Sequence, residues 1–575
     1  MPFAYLRKQR ESEARQSRRS GQPLPALSSS DSALRAIKIG LIAILVVPVL
    51  FNVPWLHSAL GPGGLPDLWV RSVGVGDGGD VEPDCVNLIG DGAGAGFRFC
   101  EDIHRIPGVE RDTVIISCDA NRAGWNTVMG PLGNAKPRGQ LWTFEYPTNA
   151  TSQLEDRFPV PVKLIDFPEE QTFHPLGLSI FHQEGVVGGQ LFVVNHREHR
   201  SSVELFHLYP AAREQGTGWV AQWQRSIVHP IATHTPNSIH ALSESSFLVT
   251  NDHVFARRPG PLTEHMIPML SQRFFNQPTS MLQGGEGRGG GGDGGGVKGW
   301  VVSKLARILS NRKAAAMLTQ IETLLGLSLG WVTMVQFNPD QSVETDGVEA
   351  KIVASNIPFA NGIAVSPDNK TLIVAATTYP GVFIYDIVRS KLGTSKGGGP
   401  TNWLELKLFT KLHLPFRVDN LAFTSHPLPR QHKHDRFSNH ALLATGHPAP
   451  LQLISMARNP LNQTSSSWTI AITPYTCSLT NENISPFETG FQQAQPWEDQ
   501  DAPLPAHHFV LSHDGAWSIR TLMQSNGAEV QDKRKNRTIK LASSASSFYH
   551  AYDDGGTLMV SGLYDGVLLC TNVGS

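Results

Sequence analysis

Six oxygen-bearing residues stand out for where they fall: Glu101 and Asp102 in FCEDIHRI, Asn237 in TPNSI, Asn361 in FANGI, and Asp419–Asn420 in RVDNLAF. Carboxylates and amides are hard oxygen donors, the set that calcium takes. No Cys/His cluster has the spacing of a zinc site. Carboxylates would nearly neutralise the ion, and amides would leave it an open, polarising face. Such an ion binds a carbonyl oxygen and stabilises the oxyanion formed when water attacks. Taken singly these residues mean little, since Asn and Asp open turns everywhere. Jointly they mean more, because each begins a separate apolar run.

Those runs read as strands. LGLSIF from 176, NSIHAL from 237, NGIAVS from 361 and DNLAFT from 419 each precede a stronger strand. Short strands recur from about residue 85 to the end, among them QLFVVNH (190–196), SSVELFHL (201–208), TLIVAA (371–376) and GTLMVSG (556–562). Turn residues punctuate them, and convincing amphipathic helices are few. The repetition predicts an all-β chain, and a β-propeller before a sandwich or barrel. In a propeller the first strand of each blade lines the axis, so the residues opening those strands converge on one point.

The composition agrees. Charged residues are 17% against 40% hydrophobic, with 54 Gly and 39 Pro, a turn-rich β balance. A net charge of −2 gives no field for nucleic acid. Residues 39–56, IGLIAILVVPVLFNVPWL, carry no charge and follow a basic, Ser/Arg-rich tail over 1–38. This predicts a single-pass signal anchor, with the tail cytoplasmic and the rest lumenal or extracellular. Residues 57–84 read as a Gly/Pro linker and 85–575 as the β body. Sequons at Asn149, Asn369, Asn462, Asn483 and Asn536 suit that topology. About residues 255–331, a glycine-rich run (284–299) and a helical pattern through Met317, Leu318, Ile321, Leu324 and Leu325 predict an insertion.

At this point the chain resembles the serum paraoxonase/arylesterase family. The resemblance is carried by CEDI (100–103), FHPLGLS (173–179), LFVVNH with SSVELF (191–206), PNSI (236–239), VTNDH (249–253), LLGLSLGWV (324–332), FANGIAVSPDNK (359–370), VDNLAF (418–423), GHP (446–448) and LLC (568–570). It implies a six-bladed propeller that hydrolyses aryl esters or lactones with calcium. The catalytic ion would be held by Glu101, Asn237, Asn361, Asp419 and Asn420. A second, structural ion would use Asp102 and the carbonyl of Leu178. The family's closing disulfide falls on Cys85 and Cys570, Cys100 and Cys118 can form another, and Cys477 is left over.

Three departures bear on mechanism. Ser238 stands where the second ion's remaining carboxylate belongs. The second of the family's two water-activating histidines matches His196, but Leu176 occupies the place of the first. His174, two residues earlier, is the candidate substitute. His253 and His447, with Leu176, match pocket-wall positions, and Leu324, Leu325, Leu327, Leu329 and Trp331 match an active-site wall that meets membrane. The leading expectation is a calcium-dependent hydrolase of small apolar esters or lactones. The alternatives are a calcium-stabilised propeller that binds a ligand without turnover, and a sugar lactonase of the regucalcin type.

Overall fold

The computed structural model describes most of residues 83–258 and 312–574, together with a short strand, Arg71–Val73. The chain divides between His57 and Ser58 into two units, and all described residues belong to the second. The expected anchor (39–56), the glycine-rich run, Cys477, Asn149 and Asn483 lie outside them. No helix among the described residues is long and apolar enough to cross a membrane.

The body is a six-bladed, all-β propeller. Its six innermost strands are β1 (Cys100–Arg105), β2 (Pro175–Phe181), β3 (Pro236–Ser243), β4 (Ala360–Val365), β5 (Arg417–Phe423) and β6 (Ser544–Tyr552). Each opens a sheet of at least four strands, antiparallel except where Lys163–Ile165 joins the second blade in parallel. Each packs against the next, β1 on β2 through to β5 on β6, and β6 returns onto β1. The ring is closed.

Alternation along the strands builds the seams between blades. Successive strand residues point to opposite faces, so Val114 and Ile116 pack toward the sixth blade while Ile115 packs toward the second. Leu372 and Val374 face the third blade and Ile373 the fifth. One apolar cluster fills each of the six seams. Buried on both faces, these strands read as continuous apolar runs, and each Leu or Ile so buried contributes about 1.5–3 kcal/mol.

The last blade is assembled from both ends of the body. Strand Asp84–Leu88 pairs with Val567–Thr571, setting Cys85 opposite Cys570, and the two are bonded across a separation of 485 residues. A second disulfide, Cys100–Cys118, ties β1 to its neighbour. Arg71–Val73, inside the expected linker, adds an edge strand to the fifth blade by pairing with Gly515–Ser525. Helix α1 (Arg312–Leu324) is the described part of the insertion, and α2 (Pro450–Arg458) lies in the fifth blade.

Candidate active site

Every inner strand breaks register with its partner near its start. The irregularities fall between Cys100 and Asp102, Pro175 and Leu178, Pro236 and Ile239, Ala360 and Ile363, Val418 and Leu421, and Ser544 and Ser547. A bulge releases residues from the ladder and re-aims them. The released residues include Glu101, Asn237, Asn361, Asp419 and Asn420. Glycine lets neighbouring strands approach here. A Cβ on Gly362 would sit 2.6 Å from Asn420 Cα, and one on Gly177 2.6 Å from Asn237 O.

Acidic groups orient the amides. Asn361 Nδ2 donates to Asp419 Oδ1 at 2.6 Å and to Thr377 Oγ1 at 3.0 Å. Asn420 Nδ2 donates to Glu101 Oε1 at 3.2 Å, and Asn237 Nδ2 to Asp252 Oδ2 at 3.3 Å. With the nitrogen ends taken, Asn237, Asn361 and Asn420 each leave a buried Oδ1 with no hydrogen-bond partner. Glu101 Oε2 lacks one too, although Arg122 Nη1 lies 3.0 Å away. Burial, with Asp419 adding to it, pushes the Glu101 carboxyl up to about 8 despite Arg122. Buried acceptors left open are costly, and a cation would satisfy them together. Among the described residues no group of three or more His, Cys, Asp or Glu is placed to hold a metal, so the amides are essential to any ion here. The set fits one calcium.

The residues expected for a second ion are already engaged. Asp102 Oδ1 accepts from Ile103 N and Ser546 Oγ, both at 3.0 Å. Its Oδ2 accepts from Leu178 N at 3.0 Å and meets His104 Nε2 at 3.3 Å. Burial works against the charge, but His104 and these donors hold the Asp102 carboxyl below its usual range. Leu178 gives Asp102 its N–H, and Ser238 adds no carboxylate. A second ion on Asp102 and the Leu178 carbonyl would have to displace these donors from the Asp102 carboxylate.

The histidines separate by what holds them. His174 is buried, with Nδ1 2.9 Å from Asp119 Oδ2 and Nε2 2.8 Å from Ala135 O. Neither nitrogen is free for water, so the ring braces the strand exits. His196 Nε2 donates to Pro236 O at 2.7 Å, which fixes the tautomer and leaves Nδ1 to accept from Thr127 Oγ1 at 2.7 Å. His253 is wedged between Asp252 Oδ1 (2.8 Å) and Thr323 Oγ1 of α1 (2.6 Å). His447 Nε2 meets Asp419 Oδ2 at 3.0 Å, bringing it to the hub itself. A cleft lined by Thr127, His196, Asp252, His253 and Arg258 opens beside these groups.

Two expected wall residues belong elsewhere. Leu176 is 5% exposed and packs with Val194, Ile239 and Val249 in the seam between the second and third blades, where an apolar side chain gains most. Trp331 lies within strand Gly330–Phe337 and is 3% exposed, its indole N–H donating to Ile231 O. In α1 the cleft-side contacts are polar. Glu322 accepts from the amides of Val254 and Phe255, both at 2.9 Å, while Leu324 stays 55% exposed. Asp119, Arg122, Thr127 and Asp252 were not anticipated from sequence. Asp119, Arg122 and Asp252 lie just beyond the ends of second strands and Thr127 further along the same loop, and the adjacent pairs CD in SCDANR and ND in TNDH were the available signal.

Burial holds the His196 imidazole down at about 4. In the unfolded chain it titrates near 6.5. Below pH 6.5 the unfolded state therefore binds the extra proton first, and stability falls as pH drops from about 6.5 to about 4, then levels. The expected loss from this group is roughly 3 kcal/mol. Urea midpoints at pH 7 and pH 4.5 check it: the gap should narrow in His196→Gln.

The fold and hub define a six-bladed propeller whose inner strands gather buried amides and carboxylates, with a small cleft at Asp252 and His253. The family model for arylesterases matches residues 160–281, from the outer edge of the first blade through the second and into the third. The chain resembles the serum paraoxonase/arylesterase family. Among solved structures, a gluconolactonase from Xanthomonas campestris is 11% identical with a TM-score of 0.34, covering 89% of this chain and 97% of its own. A RAG complex with one melted and one unmelted RSS is 6% identical, also at 0.34, covering 84% and 99%. Neither bears on function. No curated protein matches the sequence.

Proposed function

We propose that the protein is a calcium-dependent hydrolase of carboxylic esters, acting on aryl esters or lactones. The observation that carries this reading is the set of buried amide oxygens, at the bulged starts of three inner strands, left without a partner. The arylesterase match over 160–281 supports the reaction class. Glu101, Asn237, Asn361, Asp419 and Asn420 would hold the ion. Bound there, calcium would polarise the ester carbonyl and offset the charge that develops on its oxygen.

The chain's own groups supply the rest. His196, kept neutral by burial, offers Nδ1 as a base, with Nε2–H pinned on Pro236 O. Thr127 bonds that nitrogen and lines the same cleft, so its hydroxyl relays the proton of the attacking water. His174 positions this machinery from behind, since the His196 amide donates to its carbonyl at 3.1 Å. We propose further that residues 39–56 anchor the chain, with the body lumenal or extracellular. Two disulfides and the exposed positions of Asn369, Asn462 and Asn536 support that placement.

Phenyl acetate and a panel of lactones test the activity. Turnover is expected with calcium and should vanish when a chelator removes it. Folded, calcium-loaded protein that turns over none of them overturns the reading. The ligand-binding propeller would then stand, favoured by the burial of Leu176 where a second base belongs.

A further inference from the structure

Arg122, beside Glu101 at the hub, carries chemistry that points away from a cation. It is 5% exposed and follows strand Thr113–Cys118, its amide donating to Asp119 O at 2.9 Å. Nη1 faces Glu101 Oε2 at 3.0 Å, yet Nε and Nη2 are buried without a hydrogen-bond partner. The guanidinium lies near enough to His196 and Tyr564 to influence the titration of both. Its ion pair with Glu101 places it at the hub.

The neighbouring acceptors are already taken. Asp119 is bound by His174 and by the amide of Asn121, and Tyr564 Oη by Asn126 Nδ2 at 2.8 Å. The two arginines lining the cleft each give a donor to the protein, and neither leaves a buried N–H without a partner. Arg257 Nε donates to Val128 O, and Arg258 to Arg197 O and Ser201 Oγ. Open N–H groups on a buried guanidinium are costly, and their planar fork matches one partner best, a carboxylate.

We infer that Arg122 is a carboxylate-binding residue, which receives the acid product through Nε and Nη2 and also takes other carboxylate ligands. The assignment of that carboxylate as product rests on the ester-hydrolase reading. Hydrolysis adds water across the acyl–oxygen bond, giving an alcohol and an acid, and the acid sheds its proton to become the anion. A neutral ester offers the fork one weak acceptor, and its product offers two charged oxygens. Arg122 therefore discriminates product from substrate, so the enzyme is inhibited by its acid product and spares the alcohol.

Benzoate, its neutral counterpart benzamide, and phenol are the probes. Binding is followed by calorimetry on the full chain, with and without calcium, and by inhibition of phenyl acetate turnover. Wild type should bind benzoate at least tenfold more tightly than benzamide. Arg122→Met should erase that difference, while Arg122→Lys, a charge without a fork, should keep part of it. Equal binding of benzoate and benzamide by wild type overturns the proposal, as does an Arg122→Met variant that holds benzoate normally. If Arg122→Met fails to fold, the wild-type comparison and Arg122→Lys decide. Protein that binds benzoate through Arg122 but turns over no ester sinks the hydrolase reading alone. Active enzyme indifferent to benzoate sinks this one alone.

Discussion

Asn361→Ala is expected to weaken calcium binding by roughly 10- to 100-fold, the scale on which groups supporting a metal site act. Activity should fall with it. The reason is specific to this amide. Its nitrogen is committed to Asp419 and Thr377, so its oxygen is the free end, buried and aimed at the axis. The alanine leaves the Asp419 carboxylate short of a donor as well, so Asp419 loses a positioning contact. The outer strands of the fourth blade make no use of Asn361, so the far-ultraviolet signal should persist. Calcium at 100 times its dissociation constant should stabilise wild type by about 2.7 kcal/mol, and most of that rise should disappear in the variant. A variant with undiminished calcium stabilisation and full activity would make Asn361 a turn residue and remove the central support for the proposed function.

The second large effect is on stability. Cys85→Ser, or Cys570→Ser, opens a ring of 485 residues, which in the chain-entropy model is worth about 6 kcal/mol. The local bridge Cys100–Cys118 closes 18 residues and is worth about 3 kcal/mol by the same relation. Single replacements in each, compared by urea unfolding without reductant, should show the larger loss for the terminal pair. Equal losses would mean that the strand ladder between Asp84–Leu88 and Val567–Thr571 closes the ring without help from sulfur.

Much of this architecture is legible in the sequence, and the limits have physical causes. NSI, NGI and DNL are visible because an amide or acid breaks an apolar run at the bulge of an inner strand. The sixth inner strand, Ser544–Tyr552, carries serines at that point and sends Ser546 to Asp102 rather than to the axis. Nothing polar enough marks it. Arg122 and Asp252 escape notice for another reason. Periodicity tells which face a strand residue takes, but not which residue beyond the strand's end turns back toward the hub. His174 shares a face with the expected base position, yet only the tertiary contacts to Asp119 and Ala135 reveal that its nitrogens are spent. The misplacement of Trp331 came from reading the insertion as continuous to that residue, whereas the strand resumes at Gly330.

The closing blade also sets an order of events during synthesis. Strand Asp84–Leu88 is made long before its partner, Val567–Thr571. At 5–20 residues per second it waits roughly half a minute to a minute and a half with an unpaired edge and a free thiol at Cys85. The Cys100–Cys118 hairpin is complete within moments of leaving the ribosome. Early oxidation of that pair withdraws two competing thiols, leaving Cys85 free for Cys570. The short bridge, closed before residue 570 is made, would leave the long-range bond fewer wrong partners.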